Sequence, residues 1–258
     1  MMKKITAGII GGTNGMGRWF ADLLMKEGCR IHVVGRKTQM TAADAAQICD
    51  VVVVSVPIAA TAEVIAQVGP LLKKDQLLMD LTSLKQEPVA LMLAHCPAEV
   101  VGCHPLFGPA VTSSAGQNIV LCPGRGKVWY AWLKSIFDKT GYTVLERTPE
   151  AHDRMMAIVQ VLNHLNNMAL GLAIAETGTS LAEVSQFSTP VFKTKMEIVR
   201  KVFTESPELY ADIIARNPNA QEILNIYERV LLRMRGLIES GDGADLRDAV
   251  EEAAKKIF

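Results

Sequence analysis

Val51-Val52-Val53-Val54 is an uninterrupted β-branched run, apolar on both faces of a strand. The stretch around Leu77-Leu78-Met79 is nearly the same. Such runs suit a parallel sheet covered by helices on both sides. They recur in an alternation of strand-like and helix-like segments through residue 147. Strands are expected at about 5–11, 30–35, 51–56, 76–81, 99–103, 118–122 and 142–146. Helices fall between most of them, at about 15–27, 59–68, 86–94 and 126–139. The βαβ alternation predicts a doubly wound parallel sheet of the α/β class.

The pattern changes at Thr148-Pro149, a helix N-cap followed by a first helical residue. Beyond it the strands stop, and breaks fall at Gly178, Pro190, Pro207, Pro218 and Gly241-Asp242-Gly243. The expected organisation is a dinucleotide-type domain over residues 1–148 and an all-helical domain over 149–258. The 258 residues allow one large or two ordinary domains. Twenty-seven basic and 27 acidic residues give no net charge, which excludes a generally basic nucleic-acid binder. No apolar run approaches the roughly 20 residues of a membrane span. The short, glycine-containing run near the N-terminus does not read as a signal peptide. Five cysteines without a CxxC pair predict reduced thiols in the cytoplasm, with neither a disulfide framework nor a metal site. The many Met, Leu and Ile residues of the helical part predict a homodimer built mainly beyond residue 150.

The stretch Gly8–Gly17 runs from a strand straight into a helix. Its glycines let backbone N–H groups approach a pyrophosphate, and the helix N-terminus favours an anion. Counted back from Gly17, the middle glycine of GxGxxG is replaced by Asn14, with Gly15 beside it. Asparagine tolerates the left-handed backbone that such a turn asks for. Gly11, Gly12, Thr13, Asn14, Gly15, Met16 and Gly17 are the expected phosphate cradle; a ligand-free tight turn is the alternative. The second strand ends in Gly35-Arg36-Lys37, with no acid to take a ribose hydroxyl. Arg36 suits a 2′-phosphate, so NADP is preferred, with NAD as the alternative. Val56 and Pro57 would edge the nucleotide pocket.

Two further segments sit at strand ends: Asp80-Leu81-Thr82-Ser83-Leu84-Lys85 and Gly102-Cys103-His104-Pro105-Leu106-Phe107-Gly108-Pro109. Ligands in open α/β sheets bind beyond the carboxyl ends of strands, so both segments point at one crevice. Here the sequence resembles the prephenate dehydrogenase family over essentially its whole length. Asp80, Ser83 and Lys85 match the D-x-x-S-x-K segment, and His104–Pro109 match H-P-M-F-G-P with Leu106 for Met. His152-Asp153 and His164 match the opening of the helical domain, and Ser188–Phe192 lies near S-P-x-Y. Ser206–Ile213 matches D-P-x-L-Y-A-D-I. The Gly-Gly-Thr opening and the Gly-Arg strand end look most like archaeal members.

The resemblance implies a Rossmann-type domain followed by a helical dimerisation domain. It implies oxidative decarboxylation of prephenate to 4-hydroxyphenylpyruvate, with His104 taking the C4 hydroxyl proton. Ser83 would hold His104 and that hydroxyl by hydrogen bonds, while Lys85 either orients the loop or the ligand or is a surface lysine. Gln160 and His164, four apart on one helix face, would line the substrate pocket. His152, twelve before His164 and so about 120° round, is expected to point elsewhere. The family's carboxylate-binding arginine falls at Lys201, with Arg200 just before it. Either Lys201 acts as a point charge or Arg200 reaches in. Tyr210 packs on the ligand or in the core.

Arogenate is an alternative substrate. A deazaflavin-dependent reductase and a β-hydroxyacid dehydrogenase share the architecture, and a nucleotide-sensing protein without turnover is the non-enzymatic alternative. Family members are often fused to chorismate mutase or prephenate dehydratase modules, which would lie outside these residues.

Overall fold

The computed structural model describes residues 4–241 and 243–258. Seven strands form one sheet: β1 (Thr6–Ile10), β2 (Arg30–Val34), β3 (Val51–Val54), β4 (Leu77–Asp80), β5 (Glu99–Pro105), β6 (Asn118–Arg125) and β7 (Thr143–Glu146). Their order is β2-β1-β3-β4-β5-β6-β7. Helices α1 (Gly15–Lys26), α2 (Ala42–Ile48), α3 (Ile58–Val68), α4 (Gln86–His95) and α5 (Val128–Lys139) connect them. Val51–Val54 and Leu77–Asp80 are fully buried, as strands apolar on both faces require. One face packs Phe20 and Leu24 of α1 with Leu133 and Phe137 of α5. The other packs Ala45 of α2, Ile65 of α3 and Val89 and Met92 of α4.

The sheet departs from all-parallel at one place. β5 and β6 pair antiparallel, whereas β6 and β7 return to parallel. The cause is the link between β5 and β6, which holds no helix. A parallel return needs a crossover over the sheet, usually helical.

Thr148 caps the first helix of the second part, its Oγ1 accepting Ala151 N–H at 3.2 Å, with Pro149 in the first turn. α6 (Pro149–Met156) continues through a π-helical segment, Ala157–Leu162, into α7 (Asn163–Glu176). α8 (Leu181–Gln186), α9 (Pro190–Thr204), α10 (Pro207–Arg216), α11 (Ala220–Glu239) and α12 (Gly243–Ile257) follow. Of the Gly241-Asp242-Gly243 break, Asp242 lies outside the described residues; Gly241 has φ +71°. The run Pro149–Glu176 is long and apolar enough by length and composition to cross a membrane. Its apolar sequence is nevertheless interrupted by His152, Asp153, Gln160, Asn163, His164, Asn166 and Asn167. All five cysteines are free and buried.

The helical part docks on the sheet end through few, specific contacts. Ile213 of α10 packs on Ile58 at the start of α3 and on Leu84. The Asp153 carboxylate takes the N–H groups of Lys85 and Gln86 at 2.8 and 2.9 Å. These are first-turn donors of α4, which lack partners inside their own helix. Asn217, buried after α10, donates from Nδ2 to the Asp153 carbonyl at 2.9 Å.

Candidate active site

The glycine turn after β1 is built for close approach. Gly11 has φ +85° and Gly15 φ +56°, a region that favours glycine. A Cβ on Gly11 would overlap the Ser55 carbonyl after β3. A Cβ on Gly17 would lie 2.7 Å from the Gly11 carbonyl oxygen, so this glycine lets α1 sit tightly on the turn. Asn14 is not left-handed as its place in the motif suggests. It is extended, with φ −152°, at the N-cap of α1, and Gly15 takes the positive φ instead. Thr13 and Asn14 are exposed, Met16 half-buried, and Gly12 and Gly17 buried.

Beside the turn lies a cavity of about 780 Å³ at the carboxyl ends of β1, β2 and β3. Gly11, Thr13, Asn14, Arg36, Val56 and Pro57 are among its lining residues. Its lining holds no Asp or Glu, and Arg36 is exposed at its rim. This is the switch point of the sheet, where the chain turns from one direction of winding to the other. A mononucleotide half of a dinucleotide fits this cradle in backbone approach and in size.

Two strands further along, β5 carries His104 one residue before its end, where it pairs with Val120 of β6. Neighbouring strands lie about 4.8 Å apart, so β5 ends roughly 10 Å from β3. The loop after His104 is anchored by Phe107, stacked on Tyr142 at 5.5 Å and met edge-on by Trp19 at 5.0 Å.

His104 is 4 % exposed, and its Nδ1 lies 2.8 Å from Nε2 of His152. His152 is 1 % exposed, and its Nδ1 lies 2.7 Å from Oδ1 of Asp153. Burial first, with the Lys85 charge behind it, holds the His104 pKa well below the ordinary 6.5.

His152 turns to His104 and Asp153, while His164 turns to Tyr210. Between the two histidines, residues 157–162 are π-helical and bond i to i+5, so a count at 3.6 residues per turn does not give their relative phase.

Ser83 does not hold His104. Among the described residues it makes no hydrogen bond to the imidazole, whose Nδ1 is engaged by His152. The loop turns its other side chains inward, Leu84 onto Ile58 and Ile213, and Ser83 stays half-buried. Lys85 is not a surface lysine. It is fully buried, with Nζ paired to Asp80 Oδ2 and 3.4 Å from Thr82 Oγ1. Gly102 makes room for its stem, since a Cβ there would lie 3.0 Å from Lys85 Cδ.

Gln160 lies in the π segment with Oε1 buried and without a protein partner, as is Asn167 Oδ1 one helical stretch on. His164 meets Tyr210 of α10 edge-on at 4.6 Å. Burial lowers the His164 pKa. Arg200 and Lys201 lie on the surface. Arg200 pairs with Glu205 at 3.2 Å, and both residues are exposed. The reason is phase: α9 buries Val199 and Val202, and residues 200 and 201 fall off that stripe. Among the described residues no group of three or more His, Cys, Asp or Glu is placed to hold a metal ion.

Comparison with known proteins matches this geometry to one family. Residues 21–146 match the prephenate dehydrogenase nucleotide-binding domain, and residues 148–252 the prephenate dehydrogenase dimerization domain. A probable arogenate/prephenate dehydrogenase of Methanocaldococcus jannaschii is 32 % identical over 98 % of this chain and 61 % of its own length. The T-protein of Haemophilus influenzae is 32 % identical over 93 % of this chain and 64 % of its own. The chain thus spans about three fifths of the curated relatives it matches. The fold is that of the prephenate dehydrogenase of A. aeolicus, solved with hydroxyphenyl propionate and NAD+. That structure has a TM-score of 0.80, 21 % identity, and coverage of 99 % of this chain and 98 % of that one.

Proposed function

The chain belongs to the prephenate dehydrogenase family, and on that premise we propose that it oxidises and decarboxylates prephenate to 4-hydroxyphenylpyruvate. The observation that carries the reading is His104: a buried imidazole with a lowered pKa near the end of β5, on the same sheet edge as the nucleotide cavity and two strands from β3. Oxidation at C4 requires loss of the hydroxyl proton, and a neutral histidine is suited to accept it. Gly11, Gly12, Thr13, Asn14, Gly15, Met16 and Gly17 would hold a dinucleotide pyrophosphate at the α1 N-terminus. A nicotinamide bound there would supply the hydride acceptor. His104 takes the proton, and the buried site keeps water from competing for it. Gln160 Oε1 and Asn167 Oδ1, buried and without protein partners, offer hydrogen bonds to a polar ligand. His164 and Tyr210 would wall the same pocket. The test supplies prephenate and arogenate, each with NAD and with NADP, and follows reduced nicotinamide by absorbance. Turnover of neither acid with either cofactor would overturn the reading.

We assign the nucleotide to residues 1–148 and substrate and dimer contacts to 149–258. NADP is the preferred cofactor. Arg36 is exposed at the cavity rim, and no acid lines that cavity. A carboxylate there would repel a 2′-phosphate. Arg36→Asp is expected to lower kcat/KM for NADP by at least about tenfold, the loss of one charge-assisted contact. Its kcat/KM for NAD should change little. Equal or better use of NAD by the wild-type protein would sink the assignment.

The helical part leaves Leu181, Phe187, Val191, Leu232 and Ile238 more than half exposed. Such apolar surface fits a twofold homodimer, and five free, buried cysteines suit the reducing cytoplasm. Light scattering at micromolar concentration is expected to return twice the 28.1 kDa chain mass. A monomer would contradict the dimer.

A further inference from the structure

We propose that His152, held by Asp153, is a positioning residue that fixes the tautomer of His104 and leaves its Nε2 as the proton acceptor. The inference rests on the reading of His104 as the base.

Asp153 sets the direction of the chain of hydrogen bonds. Its Oδ1 accepts Lys85 N–H at 2.8 Å, and its Oδ2 accepts Gln86 N–H at 2.9 Å. With both oxygens accepting backbone donors, the carboxylate is an acceptor toward its third partner as well. The donor in the 2.7 Å contact is therefore His152 Nδ1. With His152 neutral, its one N–H is the one facing Asp153, so His152 Nε2 bears a lone pair; an imidazolium there would donate to His104 instead and leave the proton of His104 on Nε2, the form that overturns the proposal. The 2.8 Å contact to His104 then requires His104 Nδ1 to donate. His104 Nε2 is left with its lone pair free to take the hydroxyl proton. Which ring nitrogen carries the proton is set by the hydrogen bond made by the other. All three side chains are buried, so water does not replace any link.

The same links tie chemistry to docking. Asp153 sits on the helical part and fills the orphan donors at the start of α4, which belongs to the sheet part. Asn217 holds the Asp153 backbone from the far side. The tautomer of His104 is thus set only when α6 is seated on α4. His104 is faced by His152 and, through it, Asp153 from α6, and by Lys85 from the β4–α4 connection, itself paired with Asp80. When His104 accepts the proton, its Nδ1–H goes on donating to His152, whose opposite nitrogen donates to Asp153. The new positive charge therefore faces a polarised chain ending in a carboxylate.

The experiment labels the protein with ¹⁵N-histidine and reads the tautomers from two-bond proton–nitrogen correlations. Five histidines make the assignment tractable. Wild-type His104 is expected to be protonated at Nδ1 at neutral pH. His152→Phe removes the acceptor, so His104 should move to the Nε2–H form. With the base blocked, kcat should fall at least about tenfold while KM for prephenate changes little. His152→Gln places an amide oxygen near the lost Nε2 and should restore the Nδ1–H form and most of the rate. An Nε2–H form in the wild-type protein overturns the proposal, as does a folded His152→Phe with wild-type kcat. If His152→Phe does not fold, the wild-type spectrum and the glutamine variant decide. The spectra need no substrate, so absence of turnover overturns the activity and leaves the tautomer result standing on its own.

Discussion

Replacing His104 with asparagine is expected to lower kcat by about 10²–10⁴-fold, the usual worth of a positioned general base. That is roughly 3–5 kcal/mol of barrier at about 1.4 kcal/mol per decade. Asparagine keeps a polar group of similar reach but accepts no proton at neutral pH. KM for prephenate should change far less, because the proton transfer develops only in the transition state. The pH profile gives a second check. The base works as neutral imidazole, so kcat/KM rises as pH rises through the His104 pKa and is level above it. Burial, with Lys85 behind it, holds that pKa well below 6.5, so the acid limb lies below the range of an ordinary histidine. At neutral pH the wild-type rate should be on the plateau. A folded His104→Asn protein that keeps more than about a tenth of wild-type kcat and the same acid limb would remove His104 from the mechanism.

The sequence makes the sheet readable because β-branched runs have few other uses. Val51–Val54 and Leu77–Asp80 are the buried centre, and Thr148-Pro149 marks the start of the helical part. What escapes the sequence is phase and direction. The π segment at 157–162 carries no compositional mark, so a count at 3.6 residues per turn misses the phase it introduces between His152 and His164. The antiparallel turn of β6 was foreshadowed by a β5–β6 link with no helical periodicity, since a parallel return usually brings a helix. The Lys201 alignment follows motif spacing, yet Val199 and Val202 already mark the buried stripe of α9 and leave 200 and 201 outside it. His104 was legible from its strand-end turn; its partner was legible only as half of a His-Asp pair whose direction depends on the π segment. The burial of Lys85 had one faint signal, a glycine at 102 in a strand otherwise made of larger residues.

That lysine carries the second large effect. Lys85 and Asp80 are both fully buried, and Asp80 Oδ2 also accepts Thr82 N–H at 2.9 Å and Thr82 Oγ1–H at 2.6 Å. Asp80 Oδ1 has no hydrogen-bond partner among the described residues. Removing the ammonium would therefore leave a buried carboxylate with only neutral donors on one oxygen. Breaking a buried pair in this way costs about 3–5 kcal/mol, which for a chain of this size lowers Tm by roughly 6–20 °C. Lys85→Met keeps the stem packed over Gly102 and isolates the charge effect. Adding Asp80→Asn should restore part of the loss. The amide oxygen still accepts both Thr82 donors, and no buried charge remains uncompensated. Calorimetry of the two single variants and the double variant measures the coupling. Because the pair anchors the loop bearing Ser83 and Leu84, and Leu84 seats Ile213 of the helical part, Lys85→Met should also loosen the docking of α10. Amide exchange in α10 should then quicken in step with the drop in Tm. If Lys85→Met melts within a degree or so of the wild-type protein, the pair contributes nothing to the fold. The burial of Asp80 and Lys85 would then have to be explained by the position it gives the β4–α4 loop.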